Sequence, residues 1–219
     1  VYHGISALRA VCVGDLGTAI TIYDSILARV KSGQVPVSAE EQANAFQNMC
    51  SVMLYRLDRR NTQFRSVAKS FAAASHKLLL QSAVGGSSAR LRQYASIYVR
   101  VTSGDQEKQL RQLRELVDAG VFVFQNGAAR TKTKDSDPTH QFKLTFRRIY
   151  GLADYMGLSE RDRFELSGSQ LEEWLDNPER GEELLTRNLN SMKSPEGPSD
   201  PNYGADEQIP SEAQSSTAG

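Results

Sequence analysis

Cysteine is scarce. Cys12 and Cys50 are the only two in 219 residues and neither sits in a CxxC or Cys/His spacing, which argues against a disulfide framework and a zinc cluster. Both read as reduced core residues of a cytoplasmic protein. No apolar run approaches the roughly 18 to 20 residues needed to cross a bilayer, so no membrane partner is expected. The chain starts at Val1 without a basic segment followed by an apolar stretch; the expectation is a fragment with no signal peptide. Histidine is equally thin: His3, His76 and His140 stand singly and read as surface or core residues rather than ligands or bases. No GxxxxGK[ST] loop occurs, no GxGxxG follows a strand, and no Lys-Ser or Lys-Thr pair is preceded by Gly, so the phosphate cradle of a nucleotide hydrolase is missing. The string 137–143, with Asp137 and Lys143, has the acid and lysine types that a metal-dependent nuclease uses, but a turn opened by Asp and Pro before a strand explains it more simply. No catalytic site and no cofactor are expected in this chain.

What is present is an ordinary globular composition, 39% hydrophobic and 24% charged, with a mean hydropathy of -0.46. Basic and acidic residues balance at 26 each, yet they are segregated: residues 1–89 carry +4, 90–150 carry +6 and 151–219 carry -10. A basic middle followed by an acidic end suggests a middle face that meets an anion.

The first half reads as helices. From Ile5 to Val30 apolar residues, Leu16, Ile20 and Tyr23 among them, recur at steps of three and four, and Gly14-Asp15 interrupts them with Asp15 placed to cap a second helix. Gly33 and Pro36 end that helix; Ser38 and Glu41 form a capping box that opens the next. Ala45, Phe46, Met49, Val52, Met53 and Leu57 share one face up to the polar cluster 58–61, and Phe64 to Leu79 mark a third helix ending near Gln81.

The middle changes character. Residues 89–101 read as a mixed segment, and 105–119 as a helix with Leu110, Leu113, Leu116 and Val117 on one stripe and Gly120 as its stop. Residues 121–124 and 141–147 then read as strands, the second with Phe142, Leu144 and Phe146 inward. Helix, strand, basic loop, strand is the order of a winged helix-turn-helix. Arg130, Lys132 and Lys134 in the loop, Arg111 and Arg114 on the helix, and Lys143 and Arg147 with Arg148 on the return strand are the candidate contacts to phosphates of double-stranded DNA, each able to release a counterion. Asp135 and Asp137 partly offset the loop charge. Winged helices also dock proteins, so an interaction scaffold without DNA binding is the alternative.

The acidic third reads as a helix over 150–156 and a helical packing unit over 159–175, with Trp174 as core anchor. Beyond Ser194 the chain is rich in Pro, Gly, Ser, Glu and Asp, a composition that cannot offset its ordering entropy. The expected fold is mainly α: a helical domain over 1–84, a winged-helix-like domain with a small β-hairpin over 85–190, and a disordered tail over 191–219.

Two stretches carry a resemblance. Residues 5–24, with Gly14-Asp15-Leu16-Gly17 at their centre, look like the lid helix of AAA+ ATPases, Gly17 falling where that family places its sensor arginine. Residues 113–124, 132–138, 141–144 and 157–167 together resemble the C-terminal part of origin-recognition-complex-like AAA+ ATPases in bacteria. The resemblance implies lid helices joined to a winged-helix-like domain, partnered by an upstream ATPase domain or a homo-oligomer. ATP and Mg would be held only by that upstream core, whose state would set the position of the basic wing on DNA.

Overall fold

The computed structural model describes residues 4–12, 15–31, 33, 36–84, 92–101, 106–124, 129–130, 140–153, 156 and 162–191. Four helices come first: α1 (Gly4–Val11), α2 (Leu16–Lys31), α3 (Ala39–Arg60) and α4 (Thr62–Val84). They begin where the sequence provides caps. Asp15 accepts the Thr18 backbone N–H at 2.9 Å and its hydroxyl at 2.8 Å, and Ser38 and Glu41 satisfy each other's backbone donors as a capping box. Among the described residues no helix is long and apolar enough to cross a membrane.

A mixed sheet follows, with β1 (Tyr94–Val101), α5 (Gln106–Asp118), β2 (Phe122–Phe124), β3 (Ala129–Arg130), β4 (His140–Phe146), a 3-10 turn over Arg148–Gly151, β5 (Asp162–Ser167), α6 (Gly168–Asp176) and α7 (Gly181–Ser191). The strand order is β2-β4-β1-β5, with β3 paired to β4 beyond β2. The β4 pairings with β1, β2 and β3 are antiparallel; β5 lies parallel to β1. The protein is therefore mainly helical with a small sheet, and that sheet is larger than the expected hairpin.

Three expectations are corrected. The mixed segment 89–101 contains β1 at the middle of the sheet, and the described residues of 150–156, expected as a helix, hold only the end of the 3-10 turn Arg148–Gly151. Residues 162–167 are strand β5, whose Phe164 and Leu166 are buried at every second position, and helix resumes only at Gly168. In β5 the period-two pattern won over a short match to helical spacing. On α2 the inward residues are Thr18 and Ile22, whereas Leu16, Ile20 and Tyr23 are more than half exposed. Of the expected tail, Ser191 is the last residue of α7 and residues 192–219 lie outside the described residues, as do Lys132 and Lys134.

Phe71 of α4 is the centre of the core. Its ring stacks on Phe146 at 4.4 Å and meets Phe122 and Phe164 edge-on, each at 5.3 Å. Such aromatic pairs contribute about 0.5 to 1.5 kcal/mol beyond area burial. Trp174 of α6 is fully buried against Phe71 and Phe122, and its indole N–H donates to the Ser70 hydroxyl at 2.9 Å. A helix from the first half thus fills the face of the sheet built by the second, and one apolar cluster runs from Ala7 to Leu185.

Candidate nucleic-acid interface

Alternation along β1, β4 and β5 gives the sheet two unlike faces. Ile97, Val99, Leu144, Phe146, Phe164 and Leu166 point to the core. The other face carries Ser96, Tyr98 and Arg100 from β1, Gln141, Lys143 and Thr145 from β4, and Arg163 and Glu165 from β5. Register aligns them in rows: Lys143 opposite Tyr98, with Glu165 opposite Tyr98 on its other side, and Gln141 opposite Arg100. No aliphatic side chain rises from these three strands on this face.

Tyr98 sits at its middle. The phenol donates to Gln141 Oε1 at 2.7 Å, and the Arg163 guanidinium lies 4.8 Å over the ring, a cation–π contact. Arg163 and Arg100 share one carboxylate, Glu165, at 3.1 and 3.4 Å. Their side chains are 51% and 57% exposed, so these pairs hold them by about 0 to 1 kcal/mol and a phosphate can compete for either. Lys143 has no ion pair among the described residues. Two arginines and a lysine against one glutamate leave the face cationic, with an aromatic ring among them.

The hairpin extends this face. β2 pairs with β4 from Phe122 opposite Phe146 to Phe124 opposite Leu144, and pairing resumes with Ala129 opposite Gln141 and Arg130 opposite His140. The paired backbone at Arg130 therefore continues past the Gln141–Arg100 row. Residues 131–139, with the candidates Lys132 and Lys134, lie outside the described residues.

The remaining candidates do not converge on this surface. Arg111 and Arg114 lie on the outer side of α5, whose Leu113 and Leu116 are fully buried in the core, so they point away from the face that carries Lys143. The exposed charges of α5 are Glu107, Lys108, Arg111, Arg114, Glu115 and Asp118, which cancel. Lys108 is paired to Glu172 at 2.6 Å, its hydrogen bond holding the Glu172 carboxyl below its ordinary value; Arg111 lies 3.9 Å from Glu115. An α-helix with no net charge on its exposed side has little electrostatic reason to enter a groove. Arg147 follows β4 at its far end, bound to Asp15 at 3.2 Å, and lines a separate cleft. Arg148 does not reach the surface: it is 3% exposed and donates to the Ala10 carbonyl at 3.1 Å.

Arg100, Arg163 and Tyr98 were missed because β1 and β5 were not read as strands. The signal was there: Ser96, Tyr98 and Arg100 alternate with Ile97, Val99 and Val101, and Arg163 and Glu165 with Phe164 and Leu166.

Among the described residues no group of three or more His, Cys, Asp or Glu could hold a metal ion. Cys12 and Cys50 form no disulfide, and burial, helped by the Asp15 carboxylate, pushes Cys12 up to about 11, which keeps it protonated and unreactive at neutral pH. Neither a protein-family model, nor a curated protein, nor a solved structure matches the chain.

Proposed function

We propose that this chain is a DNA-binding module that contacts duplex phosphates through the polar face of its sheet and the adjoining basic hairpin. The observation that carries this is the grouping of Lys143, Arg100 and Arg163 around Tyr98, on a face that runs toward the paired backbone of Arg130. Phosphate contact needs weakly committed cations, and the ion pairs of Arg100 and Arg163 are exposed. The hairpin plays the part of a wing, while α5 rides on the core side and contributes little charge. Only four residues separate β1 from α5, too few for the preceding helix of a helix-turn-helix pair, so the wing and sheet rather than a recognition helix make the contact. The resemblance to origin-recognition-like AAA+ ATPases supports a place for the module in an ATP-driven machine, with nucleotide chemistry upstream.

Titrating labelled duplex DNA at several salt concentrations tests this. The expected result is log K falling linearly with log salt, and a slope shallower by about 0.9 for each of Arg100, Lys143 and Arg163 changed to Gln. Binding that ignores salt, or that survives the triple variant unchanged, overturns it.

A second reading is an interaction scaffold, favoured by one observation. Leu16, Ile20 and Tyr23 are 74%, 51% and 52% exposed on one face of α2, an apolar stripe of the kind a partner covers. It requires a stable assembly in nucleic-acid-free samples, which light scattering measures, and replacing Ile20 and Tyr23 by Ser would dissolve that assembly.

A further inference from the structure

A second basic site lies at the other end of the sheet and does not depend on the polar face. A cleft of about 530 Å³ opens between the end of α3, the α5–β2 turn and the residues after β4, lined by Arg56, Arg59, Arg60, Arg147 and Tyr150 among others. Arg56, Arg59 and Arg60 stand at i, i+3 and i+4, so one helical face presents all three. None has an ion pair among the described residues. Like charges at this spacing repel, at a cost of about 0.2 to 0.5 kcal/mol per pair. Arg59 and Arg60 complement the C-terminal dipole of α3, but the dipole accounts for neither Arg56, a turn earlier, nor Arg147, which comes from another element.

The opposite wall is built to hold Arg147 in place. Gly120 ends α5 with φ +77, its N–H bonded to Val117 and that of Val121 to Leu116; these bonds occupy carbonyls of the last turn and blunt its negative end. Gly120 packs against the guanidinium: a Cβ built there would lie 3.6 Å from Arg147 Nη1, at ordinary contact distance, so it is the positive φ and not the space that calls for glycine. Arg147 Nε is buried with no hydrogen-bond partner among the described residues. Its Nη1 is held by Asp15, which the Thr18 N–H and hydroxyl hold independently. The Tyr150 phenol is buried beside it. Asp15 and Asp118 also line the cleft, leaving four guanidiniums against two carboxylates. A space of this volume is in the range of small-molecule pockets, and guanidiniums from two walls suit an anion with charge at more than one point.

We propose that this cleft binds a small anion bearing two or more phosphate groups, clamped between the α3 arginines and Arg147, and that its occupation ties α3 to the sheet. Free polyphosphate and an organic bisphosphate share this chemistry.

The test uses the full chain, with calorimetry and thermal melting against inorganic pyrophosphate, fructose 1,6-bisphosphate and, at matched ionic strength, sulfate. Pyrophosphate or the bisphosphate is expected to raise the melting temperature and to bind more tightly than sulfate. Affinity should drop about tenfold in R56Q/R60Q and stay unchanged in R100Q/R163Q. A preference for pyrophosphate points to the free anion and a preference for the bisphosphate to an organic one; either supports the site. R56Q/R60Q relieves repulsion and should fold; Arg59→Gln gives a single-charge check. Equal response to sulfate, no binding, or loss confined to R100Q/R163Q overturns the proposal. Because the DNA titration reads the sheet face and this experiment the cleft, each can fail without the other.

Discussion

The two faces of the sheet obey different physics although they alternate along the same three strands. On the core face identity is fixed by shape: Phe71 fits among Phe122, Phe146 and Phe164, and a close-packed interior punishes a change of even one methylene. On the polar face the charged contacts of Arg100 and Arg163 are exposed and interchangeable, while Ser96 and Thr145, which share that face, are buried. Arg100 and Arg163 share Glu165, and Lys143 has no ion pair among the described residues. A residue free to move costs little to change in stability and is available for a ligand. Stability and binding are thereby separated by strand parity, and substitutions that differ by one position should land in different assays.

The sharpest break is Phe71→Ala, which empties the centre of the core; unfolding in urea should show a loss of about 3 to 5 kcal/mol. Next comes Gly181→Ala. A Cβ there meets Trp174 Nε1 and Ser70 Oγ, and would lie 2.7 Å from Ser70 Cβ, so α7 must back away from α4 and α6; overpacking of this kind costs about 1 to 3 kcal/mol by the same measurement.

Asp15 lies at the edge of both worlds, as cap of α2 and partner of Arg147. Asp15→Ala should cost about 1 kcal/mol, and Asp15→Asn less, since the amide oxygen can still cap. Burial pushes the Asp15 carboxyl upward, but the Thr18 backbone and hydroxyl bonds and the Arg147 charge outweigh it and leave it below its ordinary value. A folded-state pKa below the unfolded one gives stability that is fully present above the unfolded value, about pH 4, and is lost as pH falls through the folded one. Melting temperatures recorded down the acid range should converge for wild type and Asp15→Asn as that contribution fades. The smallest change in stability belongs to the polar face: R100Q/K143Q/R163Q should unfold within about 0.5 kcal/mol of wild type, while the salt slope of DNA binding becomes shallower. A large stability loss there would mean the face is packed rather than available.

Local signals were legible wherever one short stretch holds all the information. Asp15 and the Ser38–Glu41 box announced two helix starts, Gly120 with its positive φ a helix end, and Trp174 an interior anchor. Residues 121–124 and 141–147 read as the two strands of a hairpin, and the structure pairs 122–124 with 144–146. Part of the candidate site could be read the same way, through Lys143 and Arg130. β1 and β5 were harder, because over six to eight residues apolar spacing is shared by helix and strand and only a neighbour decides. The α3 arginines read as a polar helix end, since nothing in residues 56–60 tells that the α5–β2 turn and Arg147 face them.

By itself the sequence determined which segments begin and end helices and which positions of a strand are apolar, because caps, glycine φ and side-chain period act within a few residues. Only the tertiary structure decided that α4 supplies the centre of the sheet's core, that Arg100, Lys143 and Arg163 share one face, and that Arg147 meets Asp15 from 132 residues away. Those depend on which surfaces bury each other, a choice made by the whole chain in excluding water from its apolar area.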